Sequence, residues 1–254
     1  MSWVITPSFY GYITDANAKD YLSRVHAAEG QTLEPAVALA IEAFIVGCKT
    51  DGIWTAIKAS CILAGTRTLS GALVPLVGPT PINNNFTASD YNRKTGLIGN
   101  RLTKYLQAGL LDNSQAQNNF HLSAYVLDIG DAPSGWIGTF SSSFIFRSAS
   151  NTFNSRNRAG STNSTSGVAN AGLPYLAGVS RAGSANYTER RNKGNFTVSS
   201  LSVAPSSEEF EIFKSAGNFG NPRLAFYSIG ESLDLALLDA RVTTLVNAFA
   251  AAIP

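Results

Sequence analysis

Asp90-Tyr91-Asn92-Arg93-Lys94-Thr95-Gly96-Leu97-Ile98-Gly99-Asn100 stands where a helix-rich front half gives way to a strand-rich back half. It sets Asp90 beside Arg93 and Lys94 and holds two glycines, Gly96 and Gly99. It then runs into Leu102-Thr103-Lys104-Tyr105-Leu106, which alternates apolar and polar as a half-buried strand does. In isolation the charges look like a catalytic or phosphate-binding cluster. With its neighbours the segment reads as a hinge. Its charges are expected to pair locally, and its glycines to turn the chain into the first long strand.

Upstream, residues 1–14 carry Trp3, Phe9, Tyr10 and Tyr12 and read as an extended aromatic arm. Asp15 to Ala28 has Ala18, Tyr21, Leu22 and Val25 at helical spacing and stops at Gly30. Leu33 to Lys49 is almost wholly apolar, with Pro35 suited to a first turn, so it predicts a helix buried on most faces. A short third helix is expected over Trp54, Ile57 and Cys61, and residues 63–80 read as a connecting loop with one short extended piece.

Downstream, short apolar or alternating runs recur at Leu122–Leu127, Trp136–Phe140, Phe144–Arg147, Tyr175–Ser180, Phe196–Val203, Phe210–Phe213 and Leu224–Ile229. Turn residues separate them, which predicts an antiparallel sandwich. Ser148 to Asn170 is either a long exposed loop or a weak hairpin. Leu233 to Ala252 places Leu238, Val242, Leu245, Val246 and Phe249 on one stripe, a closing helix that Ser232 or Asp234 can cap.

Charged residues are only 14% of the 254, so neutral polar groups must cover the surface. Such a surface suits contact with other surfaces, with sugars or with copies of itself, because few ions need desolvation. A net charge of +2 is too small to imply nucleic acid. The stretch from Ala132 to Ser207 has Glu189 as its one acid against Arg147, Arg156, Arg158, Arg181, Arg190, Arg191 and Lys193. Either this half shows a positive field that attracts an anionic surface, or these bases pair within the fold. Cys48 and Cys61 fall in apolar patterns and are expected as buried free thiols. The start shows no signal-peptide pattern, and no apolar run is expected to span a membrane.

Together with Asp90–Asn100, three further stretches carry a resemblance. They are Gly47-Cys48-Lys49-Thr50-Asp51-Gly52-Ile53-Trp54, the run from Leu63 to Leu76, and Arg223-Leu224-Ala225-Phe226-Tyr227-Ser228-Ile229-Gly230-Glu231-Ser232-Leu233. In these the chain resembles tailed-phage virion structural proteins in which a helical lead-in precedes a concanavalin-like (laminin-G-like) β-sandwich. The resemblance implies an α+β, mainly β fold, with an N-terminal arm and helical region over 1–80 and a concanavalin-like antiparallel β-sandwich with closing helix over 81–254. It implies a virion component made in the host cytoplasm, commonly a tail-fibre or baseplate-associated module for host attachment, and three copies as the favoured homo-oligomer. A capsid decoration or tail adaptor protein with no ligand is the alternative. No fibre-forming repeat is present to build a fibre shaft.

The sequence offers little to an enzyme. His26 and His121 are its two histidines, and no nucleophile elbow, phosphate loop or metal-spaced cluster appears. Asp128 and Asp131, and Glu208, Glu209 and Glu211, read as turn and strand-edge acids rather than a hydrolytic pair or a calcium site. No cofactor is expected. Sugar binding wants an aromatic face with polar groups around it. The candidates are Trp136, Tyr175, Arg181, Tyr187, Arg190 and Arg191. Trp136 is equally well read as core between two sheets. Tyr187, amid polar neighbours, is expected at the surface, as a ligand or an ordinary hairpin tyrosine.

Overall fold

The computed structural model describes residues 10–148 and 151–254, so Trp3 and Phe9 of the expected arm lie outside the described residues. Helix α1 spans Ala16–Glu29, with the Asp15 carboxylate accepting from the amides of Asn17 and Ala18 at its start. Gly30 closes it in the left-handed region, φ 70°, where a side chain would strain the turn. Helix α2 spans Pro35–Thr50, a four-residue α3 covers Leu69–Ala72, and α4 covers Leu235–Ala252 under the Asp234 cap.

The strands are β1 (Ile57–Ile62), β2 (Pro75–Val77), β3 (Ile82–Asn84), β4 (Tyr91–Asn92), β5 (Gly96–Ile98) and β6 (Tyr105–Leu111). Then come β7 (Phe120–Asp128), β8 (Ser134–Gly138), β9 (Ser143–Ser148), β10 (Thr152–Asn157), β11 (Asn163–Thr165) and β12 (Tyr175–Arg181). The last are β13 (Asn186–Arg191), β14 (Gly194–Ser199), β15 (Glu209–Ile212), β16 (Lys214–Ser215), β17 (Asn218–Phe219) and β18 (Arg223–Gly230). One sheet runs β14-β13-β12-β7-β18-β1-β2, with β5 beside β18 and β4 beside β5. The other runs β11-β10-β9-β8-β15-β6-β3, and β16 and β17 form a small hairpin. Neighbours pair antiparallel, as in β7 with β12 and with β18.

The two sheets pack face to face over Leu122, Trp136, Phe153, Phe210 and Tyr227. On the far face of the first sheet, Tyr125, Leu176 and Phe226 meet Ile41, Phe44, Leu238 and Leu245 of the helices. That sheet is therefore buried on both faces, which is why β7 is buried without a break from Phe120 to Val126 and β12 along its whole length. The architecture is an antiparallel β-sandwich with an N-terminal helical region and a C-terminal helix, as the concanavalin-like expectation has it.

Several local expectations are corrected. Trp54–Ala56 is one 3-10 turn, and Ile57 to Ile62, expected as helix, is a strand pairing Cys61 with Tyr227. An apolar run buried on two faces has no period that separates helix from strand. Leu102 to Lys104 is a turn, because the Asn100 carboxamide oxygen accepts from all three amides, and the strand begins at Tyr105. Residues 63–80 hold both α3 and β2, and Thr152 to Thr165 is a hairpin. Residues 186–191 form β13, which the sequence reading missed. Among the described helices α4 is long and apolar enough to cross a membrane, contrary to expectation; its stripe of Leu238, Val242, Leu245 and Phe249 is spent on the core.

The charges of Asp90–Asn100 do not pair with one another. Asp90 holds Lys104 at 2.5 Å, and Arg93 forks onto Glu34, at the start of α2, at 2.7 and 3.2 Å. Gly96 does not launch β6. It lies in β5 at φ 87°, where a Cβ would stand 2.1 Å from the Leu224 carbonyl oxygen of β18. The segment clips the helices to the sheet.

Candidate functional site

Strands β12 and β13 end at a tight loop, residues 182–185, which faces the connection from β18 to α4. Between them lies a cleft of about 400 Å³ lined by Ser180, Gly183, Asn186, Tyr187, Thr188 and Ser232. No charged side chain lines it. Ser180 Oγ donates to the Leu233 carbonyl at 2.8 Å and accepts from its amide at 3.1 Å, which fixes the far wall. Ser232 is held by Asn119, whose carboxamide oxygen accepts from its hydroxyl at 2.6 Å and its amide at 2.9 Å. The Asn186 side chain is exposed at the rim.

Arg181 holds the loop from below. It is fully buried, and its guanidinium donates to five carbonyls: Asn157 through Nε, Gly183, Ser184 and Asn186 through Nη1, and Ser200 through Nη2, at 2.9 to 3.2 Å. Its face lies 5.3 Å from the centre of the Tyr187 ring. Burial lowers its pKa, yet each of its three nitrogens donates to a carbonyl. A loop pinned through its own carbonyls keeps its shape when empty, which lowers the ordering entropy of binding.

The six sequence candidates separate here. Tyr187 lines the cleft, but only 1% of it is exposed, and burial pushes its hydroxyl up to about 12 beside Ser155. Arg181 supports the cleft without reaching its surface. Trp136 and Tyr175 are wholly buried between the sheets, Trp136 donating to the Ile129 carbonyl and Tyr175 to that of Ala169. Arg190 is clamped to Asp239 of α4 at 2.6 Å. Arg191 pairs with Glu189 at 2.6 Å and lies 3.8 Å over the Phe196 ring. The expected surface position of Tyr187 is thus corrected, and of the two readings of Trp136 the core one fits: rings this large leave water when two sheets can enclose them. Sequence reading missed Ser180, Asn186, Thr188 and Ser232; the Gly-Ser-Ala-Asn turn was their one visible signal.

Of the basic stretch Arg158, Arg190 and Arg191 are paired with carboxylates, whereas Arg147 and Arg156 keep their charge. Arg158 is buried against Asp112 at 2.9 Å, while Arg147 and Arg156 donate to the carbonyls of Gly130 and Ser141. Glu208 accepts from Ser141, Glu209 from the Gly109 amide, and Glu211 pairs with Lys214. Ser228 and His121 stand 2.8 Å apart like a nucleophile and its base, but both are fully buried. Among the described residues no group of three His, Cys, Asp or Glu could hold a metal ion. The buried thiols of Cys48 and Cys61 are free and pushed up to about 12 by burial.

No family model matches the chain, and no curated protein does. Solved structures resemble parts of it at low identity. A Trypanosoma rangeli sialidase is 12% identical over 76% of this chain and 33% of its own, TM-score 0.49. Domain 4 of a GH43 extracellular arabinanase from Geobacillus stearothermophilus, in complex with arabinotriose, is 10% identical over 65% of this chain and 82% of its own, TM-score 0.37. Tailspike protein 2 of an Escherichia coli O157:H7 bacteriophage is 11% identical over 61% of this chain and 25% of its own, TM-score 0.34. The chain thus spans about a third of the sialidase and a quarter of the tailspike. At these scores the likeness carries no argument about function.

Proposed function

We propose that this protein is a structural component of a tailed-phage virion, on the tail fibre or baseplate, and that its sandwich binds host-surface glycan in the cleft between β12–β13 and α4. The cleft carries this reading: hydroxyl and amide groups, no charge, and a loop held rigid by Arg181. Such a lining suits a neutral sugar, whose hydroxyls both donate and accept. The phage assignment is supported by the sequence resemblance at Asp90–Asn100 and Arg223–Leu233. The role is binding rather than hydrolysis. Each single contact is weak, and several copies on one particle supply avidity.

A glycan array with purified protein tests the binding. Signal on neutral oligosaccharides is expected, falling at least about tenfold in the Asn186→Ala, Thr188→Ala double variant. Because the cleft is uncharged, that signal should hold between about 0.05 and about 0.5 M salt. Signal that vanishes with salt would point instead to attraction by the basic stretch, and silence on every glycan to a purely structural protein. Gold-labelled antibody on virions should decorate tails; decoration of heads would make it a capsid protein and sink the attachment role.

A further inference from the structure

Strand β14 is a sheet edge without the usual protection. It pairs with β13 on one side and with no other strand among the described residues. The other edges of the two sheets are strands of two or three residues: β2, which opens with Pro75, β3, β4 and β11. By contrast β14 is six residues, Gly-Asn-Phe-Thr-Val-Ser, and no charge occurs from Gly194 to Ser207. Natural edges are usually kept single by lysine, proline, brevity or a bulge. Phe196 in this strand and Leu201 and Val203 just after it are 41%, 75% and 40% exposed.

The phase of the free backbone groups follows from the hairpin. Asn192 and Lys193 both have positive φ, 50° and 64°, as a two-residue turn requires. Such a turn makes Arg191 and Gly194 a hydrogen-bonded pair, and alternation then makes Glu189–Phe196 and Tyr187–Val198 hydrogen-bonded too. The Ser200 amide donating to the Ala185 carbonyl at 3.1 Å continues the same phase. The amides and carbonyls of Asn195, Thr197 and Ser199 therefore point away from β13, into the open edge.

We propose that β14 pairs antiparallel with β14 of a second copy about a two-fold axis through Thr197, joining two first sheets into one. In this register Thr197 faces its own counterpart, Asn195 faces Ser199 and Phe196 faces Val198, so polar meets polar and an aromatic meets a β-branched chain on the same face. A two-fold axis brings like residues together, which an uncharged strand tolerates. The charge-free run thus favours a second copy over a charged partner strand.

Sedimentation of the full chain tests this. Wild type should reach twice the 26.9 kDa chain mass as concentration rises. Thr197→Lys and Thr197→Glu each set like charges across the axis, so each alone should stay single while keeping wild-type circular dichroism. Mixed in equal amounts, the two should restore the two-chain species, which misfolded variants could not do. A single-chain wild type, a three-chain species, or a two-chain species unmoved by both substitutions would overturn the proposal.

Discussion

His121 is closed off by β18, and its protonation is set there. Its Nδ1 meets the Glu231 carbonyl, so that nitrogen carries the proton and Nε2 accepts from Ser228 at 2.8 Å. Burial pulls its pKa from 6.5 down to about 4, against the smaller upward pull of the Glu231 carbonyl. The unfolded chain therefore takes up the proton first as pH falls. The stability held by neutral His121 is complete above about 6.5 and is lost progressively down to about 4, on the order of 3 kcal/mol in all. Urea titrations across that range should show this slope in wild type and a shallower one in His121→Gln. Arg190 gives a second test. Asp239 is 6% exposed and keeps only the Leu176 amide and Thr243 hydroxyl if the guanidinium goes. Arg190→Ala should cost about 3 kcal/mol, read from the denaturation midpoint. Arg191→Ala should cost less, since Arg191 gives Glu189 one hydrogen bond where Arg190 gives Asp239 two, and Glu189 still accepts from Ser155 and Asn163. The sequence displayed these arginines; it could not display Asp239 as the partner, because helix–sheet packing makes that pair.

At the scale of elements, the cleft depends on one buried residue serving a loop. A lysine ammonium has three donors where Arg181 makes five bonds in a fixed plane. Arg181→Lys should speed amide exchange at Ser184–Asn186 by at least about tenfold, about 1.4 kcal/mol of easier opening, and weaken glycan signal with it. Exchange unchanged by the substitution would show that the hairpin holds its own loop. Elements with one buried face were legible: α1 from Ala18, Tyr21, Leu22 and Val25, and α4 from Leu238, Val242, Leu245 and Phe249. Strand β1 was not, because both its faces are covered and Ile57 to Ile62 shows no period. Strand β13 was hidden for the opposite reason, since it carries three charges in a row: Arg191 pairs with Glu189 of the strand itself, and Arg190 with Asp239 of α4, which lies outside any periodicity window.

Across the whole molecule, the first sheet is a shared wall. Leu122, Ala124 and Val126 face the second sheet while Tyr125, Leu176 and Phe226 face the helices. Strand β1 precedes residue 80, yet it lies inside this sheet beside β18. Helices and sandwich should therefore unfold together. Calorimetry is expected to give one transition with matching calorimetric and van't Hoff enthalpies; two resolved transitions would mean the helical layer melts alone. Composition and periodicity by themselves determined the sandwich, the flanking helices and a low-charge surface, because a face that must leave water writes its period into the chain. Asp90–Asn100 was visible as a boundary, but its partners Glu34, Lys104 and Leu224 were set by the tertiary structure. So were the burial of Trp136 and Tyr187 and the neutral cleft above Arg181. Each depends on which distant segments meet, and residue spacing along one chain does not encode that.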